Sequence, residues 1–270
     1  MKLALIYDFD GTLSPGNMQE YDFIPSVGKK NPEFWKKATS LAVENDADPI
    51  LTYMSEMIRE AKRNDISLRR EAFQRSGAKV ELFEGVLDWF DRINDYAHGK
   101  GLEIDHYINS SGIKEMIEGT PIASKFRKIF ACSFLYDVDG VAYWPAVAVN
   151  YTGKTQFLFK INKGIDEVWD TKRINEYSPE ATRAVPFRNM IYIGDGTTDI
   201  PCMRLVKEKQ GHAIAVYDPS KKKGISLQSL VADHRVNFVC AADYRADSQL
   251  DKIVHAVIDK IAADCALAQF

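Results

Sequence analysis

The stretch Leu3-Ala4-Leu5-Ile6-Tyr7-Asp8-Phe9-Asp10-Gly11-Thr12 decides the fold, because within it an apolar run ends in two acids. A short uncharged run bounded by polar turn residues is typical of a buried parallel strand. Ligand sites in open α/β sheets gather at the carboxyl ends of the strands, where Asp8 and Asp10 would face one centre. Such a pair suits a Mg²⁺ ion, or a nucleophile beside a proton-handling acid. Taken alone, the stretch is equally compatible with a turn that merely closes a strand.

The rest of the chain alternates between short apolar runs and amphipathic helical patterns. Further strands are predicted at residues 104–108, 190–193, 213–216 and 237–240. Helices are predicted at residues 85–97, 154–169, 199–207 and 248–263. This rhythm predicts an α/β fold with a Rossmann-like, doubly wound parallel sheet.

Two segments depart from the rhythm. Residues 16–79 contain helix starts and no strand pattern, with Asn31 and Asp48 each preceding a proline as predicted N-caps. We therefore expect a core of residues 1–15 and 80–270, with residues 16–79 as an inserted helical domain. Between residues 132 and 144, two apolar runs flank Asp137-Val138-Asp139-Gly140, which predicts a β-hairpin with an Asp-Gly turn.

Composition restricts the classes of partner and the compartment. The chain has 270 residues, 46% of them hydrophobic, and a formal net charge of −3, so nucleic acid and anionic membrane are not expected partners. Four cysteines without CxxC spacing indicate reduced core thiols rather than a disulfide framework or a zinc site. No signal-peptide pattern or bilayer-length apolar run is present, so we expect a cytoplasmic protein. The sequence does not predict the oligomeric state.

Three more polar groups follow or adjoin predicted strands. Asp195 and Asp199 lie in a second acidic, glycine-containing loop after the strand at residues 190–193. Ser110 lies after residues 104–108, where a hydroxyl and free backbone N–H groups precede a helix and suit phosphate oxygens. Lys154 opens a helix and can supply the positive charge that a phosphoryl group needs.

Together these four sites resemble the motifs of the haloacid dehalogenase-like (HAD) superfamily, in its phosphoserine-phosphatase-like branch. The matching segments are Asp8 to Thr12, Ser110, Lys154 and Gly194 to Asp199, in the same order along the chain. In this superfamily, dehalogenases lack the second aspartate, so Asp10 favours phosphate-ester chemistry. The resemblance also implies that residues 16–79 form a helical cap of the C1 type over the site.

The resemblance implies a role for each motif residue. Asp8 would attack phosphorus and form an aspartyl-phosphate, while Asp10 would protonate the leaving oxygen and later activate water. The phosphoryl group would be bound by Thr12, Ser110, Ser111, Lys154 and Thr198. The implied cofactor is Mg²⁺, held by Asp8, the backbone carbonyl of Asp10, and Asp195, with Asp199 supporting water bound to the ion. The expected reaction is hydrolysis of a small phosphorylated metabolite.

Some positions depart from the phosphoserine phosphatase pattern. Thr198 replaces the usual asparagine, although it can still donate a hydrogen bond to phosphate. Asn17 occupies the register of the glutamate that holds the amino group of serine, so the sequence does not predict phosphoserine as the substrate. The alternatives are phosphoryl transfer to another acceptor, as in the superfamily's phosphomutases, and a non-catalytic regulatory module. A P-loop reading of residues 151–155 lacks the first glycine, because residue 148 is Ala148.

Overall fold

Strand β1 (Lys2–Tyr7) is the central strand of a seven-stranded sheet in the computed structural model, which describes residues 1–196, 198–221 and 230–267. The other described strands are β2 (Glu103–Ile113), β3 (Lys128–Tyr136), β4 (Ala142–Val147), β5 (Met190–Gly194), β6 (His212–Tyr217) and β7 (Phe238–Ala241). Their order across the sheet is β4-β3-β2-β1-β5-β6-β7, and every pairing except β3 with β4 is parallel. The predicted Rossmann-like parallel sheet is therefore confirmed.

The register of the central strands places the two acidic loops side by side. Tyr7 pairs with Ile108 on one side and with Ile193 on the other. Asp8 directly follows Tyr7, and its backbone N–H donates to the Ile193 carbonyl at 2.9 Å. The carboxyl ends of β1, β2 and β5 thus meet at one edge of the sheet, which is where ligand sites form in such folds.

The helices occupy the connections between strands. They are α1 (Phe23–Ser26), α2 (Asn31–Glu44), α3 (Pro49–Arg63), α4 (Arg70–Gly77), α5 (Val86–Gly99), α6 (Lys114–Glu118), α7 (Thr155–Lys163), α8 (Thr171–Asn175), α9 (Ile200–Glu208) and α10 (Gln249–Leu267). No described helix is long and apolar enough to cross a bilayer.

Residues 16–79 form helices α1 to α4 and no strand. Asp48 caps α3 as predicted, since its side chain accepts from the N–H groups of Ile50 and Leu51. The predicted cap at Asn31 is wrong. Asn31 is the first residue of α2, Lys30 occupies the cap position, and no side chain bonds to the helix end.

Three further sequence expectations need correction. The helix predicted over residues 154–169 ends at Lys163, because Gly164 has φ of 70° and adopts the left-handed conformation that closes a helix. The strand predicted at residues 104–108 continues to Ile113 through an irregularity after Ser110, so Ser110 lies within β2 rather than beyond its end. The hairpin is present, but its first strand begins at Lys128 and pairs with β2 inside the main sheet.

Candidate active site

A cavity of about 370 Å³ lies where β1, β2 and β5 end. Its wall on the sheet side includes Asp8, Asp10, Ser110, Ser111, Asp195 and Thr198. Its opposite wall comes from the segment after β1 and from α2 and α3, with Gln19, Glu20, Trp35, Ile50 and Tyr53. Six of the nine residues predicted for the site therefore line one cavity.

Asp8 is held by two donors at the floor of this cavity. Its Oδ1 accepts from the Phe9 N–H at 2.7 Å, and its Oδ2 accepts from Lys154 Nζ at 2.9 Å. Lys154 is fully buried and also donates to Asp199 Oδ1 at 2.7 Å. Burial alone would lower the pKa of Lys154, but the adjacent carboxylates of Asp199 and Asp8 raise it above its usual value. The lysine is therefore a permanent positive charge beside the Asp8 carboxylate.

Asp10 lies in an environment that favours its protonated form. Burial raises its pKa well above the usual range, and the negative charge of Asp8 raises it further. Its Oδ1 accepts from the Met18 N–H at 2.9 Å, which fixes the side chain. A carboxyl whose pKa is raised in this way is suited to donate a proton as a general acid.

Asp195 lies close to other negatively charged carboxylates of the site. Carboxylate oxygens of Asp8, Asp195 and Asp199, the acid cluster, lie within 4.8 Å of one another. Burial and the charge of Asp8 together raise the pKa of Asp195 to about 8. Glycine at position 11 allows the Asp195 carboxylate to lie against the loop after β1, because a Cβ there would lie 2.0 Å from Asp195 Oδ2. Closely spaced carboxylates of this kind fit a divalent cation, since hard cations prefer oxygen ligands and relieve the repulsion.

Asp199 accepts three hydrogen bonds from the protein, whereas Asp8 accepts two. Its Oδ1 accepts from Lys154 Nζ and from the Tyr192 hydroxyl, both at 2.7 Å. Its Oδ2 accepts from the Gly196 N–H at 3.3 Å. Direct ligation of a cation therefore falls more naturally to Asp8 and Asp195, with Asp199 fixing Lys154 and adding negative charge.

The hydroxyls at the cavity point to an anion beside Asp8. Ser110 Oγ accepts from the Gly112 N–H at 3.1 Å, which leaves its own proton free to donate. Ser111 Oγ is buried without a partner among the described residues. Thr198 Oγ1 lies 3.4 Å from Lys154 Nζ. These donors fit the oxygens of a phosphoryl group.

Three predicted residues do not line the cavity. Lys154 and Asp199 lie directly beneath it, in contact with Asp8 or with each other. The Thr12 hydroxyl is buried and has no partner among the described residues. The Thr12 carbonyl accepts a hydrogen bond from the Tyr244 hydroxyl at 2.8 Å, so Thr12 helps to hold the loop after β1 in place.

Comparison with known sequences now defines the family. Residues 5–204 match the haloacid dehalogenase-like hydrolase family, a range that spans β1 to α9 and includes the acid cluster. The chain belongs to the haloacid dehalogenase-like hydrolases. An uncharacterized protein of Borreliella burgdorferi is 31% identical to this hydrolase over 275 residues, covering 92% of this chain and 93% of the relative.

Solved structures show the same fold at low sequence identity. A substrate-bound phosphoserine phosphatase matches this hydrolase with a TM-score of 0.55 and 16% identity, covering 90% of this chain and 94% of the other. A phospho-aspartyl intermediate analogue of phosphoserine phosphatase gives a TM-score of 0.53 at 17% identity, covering 94% and 98%. A HAD family hydrolase from Salmonella enterica gives 0.55 at 15% identity, covering 94% of this chain and 70% of that chain.

Several residues of the hydrolase's site carry no sequence pattern that marks them. The Tyr192 hydroxyl bonds to Asp199, and the Asn109 side chain donates to the Lys154 carbonyl at 3.1 Å. The Tyr53 hydroxyl donates to the Ser111 carbonyl at 2.6 Å, bringing α3 to the end of β2. Tyr192 and Asn109 occupy strand positions typical of packing residues, so only the paired register of β1, β2 and β5 reveals their contacts.

Proposed function

We propose that this hydrolase is a Mg²⁺-dependent phosphatase that cleaves a small phosphomonoester through an aspartyl-phosphate on Asp8. The observation that carries the proposal is the arrangement around Asp8. A buried lysine holds its Oδ2 at 2.9 Å, and two further carboxylates lie within 4.8 Å of it. An anionic nucleophile reaches an anionic phosphoryl group only when positive charge offsets their repulsion, and Lys154 supplies part of it.

The metal fits the same arrangement. We propose Asp8, the Asp10 backbone carbonyl and Asp195 as its ligands, with Asp199 in support. When bound, Mg²⁺ would add positive charge at the transferring phosphoryl group. The pKa of about 8 for Asp195 supports this assignment, because the uncompensated charges of the acid cluster suit a cation.

Each protein group then has a definite task. Asp8 attacks phosphorus, while the hydroxyls of Ser110, Ser111 and Thr198 bind phosphoryl oxygens. Asp10 gives its proton to the leaving oxygen as that bond breaks. The resulting carboxylate then takes a proton from the water that attacks the aspartyl-phosphate, so Asp8 is regenerated and inorganic phosphate is released.

We further propose that residues 16–79 act as the helical cap of this enzyme. Trp35, Ile50 and Tyr53 of α2 and α3 line the cavity, so the inserted segment forms part of its wall. A wall made by an inserted segment can exclude water and select substrates. A cytoplasmic location belongs to the same proposal and is supported by four cysteines that are all free thiols.

The decisive experiment is hydrolysis of p-nitrophenyl phosphate with Mg²⁺, with EDTA, and by the Asp8→Asn variant. We expect turnover with Mg²⁺, loss of turnover with EDTA, and a loss of roughly 10⁴-fold or more in the variant, because the nucleophile is removed. Asp139→Asn is the matched control, since Asp139 is an exposed acid of the hairpin turn. Its turnover should equal that of the wild type. Metal-independent hydrolysis, or full activity of Asp8→Asn, would contradict the proposal.

A further inference from the structure

Lys221, in the turn after β6, places a positive charge at the wall of an otherwise acidic cavity. Among the lining residues that the structure describes, it is the one with a positively charged side chain. Four acids line the same cavity, namely Asp8, Asp10, Glu20 and Asp195. Lys154 is fully buried beneath Asp8 and does not line the cavity. The site therefore has two cations at different depths, and the proposed mechanism uses only the deeper one.

The turn after β6 holds the ammonium of Lys221 in a defined place. The Lys221 N–H donates to the Asp218 carbonyl at 3.1 Å, which closes the turn. The N–H and the hydroxyl of Ser220 both donate to Asp218 Oδ1, at 2.9 and 2.6 Å. Lys221 Nζ donates to the Pro15 carbonyl at 2.9 Å and lies 3.3 Å from Asp218 Oδ2. Pro15 also lines the cavity, so these contacts keep the ammonium at the cavity wall.

These contacts leave the ammonium able to bind one more group. A lysine ammonium has three N–H donors, and the described residues accept two of those of Lys221. The Lys221 side chain is 68% exposed. The buried ammonium of Lys154, by contrast, donates to Asp8, Asp199 and Thr198. An exposed ammonium with a donor to spare is suited to bind an anion that enters the cavity.

The depth of Lys221 indicates which end of a substrate it meets. With phosphorus at Asp8, Lys154 and the acid cluster close the floor of the cavity behind the phosphoryl group. The leaving group therefore extends away from that floor. The Pro15 carbonyl, which holds Lys221, lies seven residues after Asp8, where the chain enters residues 16–79. Lys221 is thus placed at the rim between the core and the inserted segment, on the side of the leaving group.

We propose that Lys221 is a specificity-determining residue whose ammonium binds an anionic group on the leaving group of the substrate. The inference rests on the proposed phosphatase function and deepens it. The anionic group is a carboxylate or a second phosphate, since both accept charge-assisted hydrogen bonds from an ammonium. Without Lys221, such a group would enter a cavity lined by acids, and their negative charge would oppose its binding.

The test compares three phosphomonoesters with a two-carbon leaving group. They are 2-phosphoglycolate, which carries a carboxylate, 1,2-ethanediol bisphosphate, which carries a second phosphate, and 2-hydroxyethyl phosphate, which is neutral at that end. For the wild type, we expect kcat/KM to be at least about tenfold higher for one or both anionic leaving groups than for the neutral one. The two anionic arms distinguish a carboxylate from a phosphate.

Substitution of Lys221 should remove this preference through KM. In Lys221→Met, KM for the preferred ester should rise about tenfold with little change in kcat, because the lost contact binds substrate and transition state alike. KM for 2-hydroxyethyl phosphate should stay the same. Lys221→Arg keeps the charge and should keep the preference. Lys252→Met, at an exposed position of α10, is the control and should leave all three esters unaffected.

Salt separates binding by charge from a structural role of Lys221. Raising KCl from about 0.05 M to about 0.5 M should reduce the preference of the wild type, because salt screens an exposed ion pair. If Lys221 served only to join the turn after β6 to Pro15, Lys221→Met would instead impair all three esters equally, at either salt concentration. That result would refute the inference.

The outcomes that overturn the inference are distinct from those that overturn the proposed function. Equal kcat/KM for the three esters in the wild type would refute the role of Lys221, as would an unchanged preference in Lys221→Met. If p-nitrophenyl phosphate is hydrolysed in a Mg²⁺- and Asp8-dependent way but none of the three esters is, the inference fails and the phosphatase assignment stands. Absence of turnover on every phosphomonoester overturns both.

Discussion

Asp199 is a carboxylate whose orientation is fixed by two buried side chains. Two donors, Lys154 Nζ and the Tyr192 hydroxyl, share its Oδ1 at 2.7 Å each. Tyr192 is fully buried in β5, three residues before Asp195. The strand that delivers Asp195 to the acid cluster therefore also orients Asp199, and through it the lysine beside Asp8. We interpret Tyr192 as a positioning residue, since partners behind metal and phosphate ligands commonly tune those ligands.

Replacing Tyr192 tests this interpretation. In Tyr192→Phe, Asp199 keeps Lys154 but loses one donor, so its carboxylate gains freedom to rotate. We expect the Mg²⁺ concentration for half-maximal turnover to rise about tenfold, with a smaller fall in kcat. The measurement is a Mg²⁺ titration of p-nitrophenyl phosphate hydrolysis. Tyr143→Phe, at a half-exposed position of β4, is the control, and an unchanged Mg²⁺ requirement in Tyr192→Phe would refute the positioning role.

At the scale of elements, helix α3 connects the inserted helices to two segments of the candidate active site. The Tyr53 hydroxyl donates to the Ser111 carbonyl at 2.6 Å. At the start of the helix, Asp48 caps α3 through Oδ1, and its Oδ2 accepts a hydrogen bond from the Asn150 side chain. Asn150 in turn accepts from the Lys154 N–H at 2.9 Å through its carbonyl. One helix thus reaches both the serine segment of β2 and the turn that presents Lys154.

The bond between Asp48 and Asn150 is the part of this connection that substitution can isolate. Asn150→Ala removes the bond and leaves the α3 cap, whereas Asp48→Ser keeps a capping hydroxyl and removes the same bond. We expect each variant to lower kcat/KM about three- to tenfold, because one hydrogen bond between α3 and the lysine turn is lost. Combining them should add little, since both remove one interaction. Additive losses in the double variant would show that the two residues act separately.

The sequence predicts a structural element well where its ends depend on a few adjacent residues. It predicts an element poorly where its ends depend on pairing with another strand. Asp48 and the Asp-Gly hairpin turn behave as predicted because a cap and a turn depend on a few adjacent residues. The helix predicted from Lys154 ends at Lys163, although the apolar spacing continues towards Trp169, because Gly164 adopts the left-handed conformation that closes a helix. The sequence analysis predicts the first hairpin strand from residue 132, whereas pairing with β2 begins the strand at Lys128. The hydrogen bond from the Asn109 side chain to the Lys154 carbonyl likewise joins residues that are distant in sequence.

For the molecule as a whole, a buried network behind the site links its stability to pH. The Trp89 indole donates to the Tyr7 hydroxyl at 2.9 Å, and this hydroxyl lies 3.0 Å from His106 Nδ1. His106 Nε2 lies 3.1 Å from Asn94 Oδ1. The Tyr7 hydroxyl therefore donates to Nδ1, which makes His106 a neutral ring that carries its proton on Nε2. Strand β1, which leads to Asp8, is thereby bonded to both α5 and β2.

Burial keeps His106 neutral and lowers its pKa to about 3, with Asp91 and Lys125 acting in opposite directions nearby. A histidine with a depressed pKa in the folded state binds its proton more readily when unfolded, so acid favours unfolding. Its contribution is fully present above the unfolded pKa of about 6.5 and is lost progressively as the pH falls from there towards 3. Between pH 6.5 and 5, the free energy of unfolding should fall by up to about 2 kcal/mol through this residue.

Substitution of His106 should flatten that acid dependence. His106→Gln loses part of the buried network and is expected to be less stable at pH 7, yet its free energy of unfolding should fall less between pH 6.5 and 5. Between pH 6.5 and 5, the wild type should lose up to about 2 kcal/mol more of its free energy of unfolding than the variant does. Urea unfolding followed by tryptophan fluorescence at both pH values measures it. His98→Gln, at an exposed position near the end of α5, should keep the wild-type slope. If His106→Gln and the wild type instead lose the same free energy of unfolding, the acid sensitivity lies in another group, and His212, whose pKa burial also lowers, is the next to test.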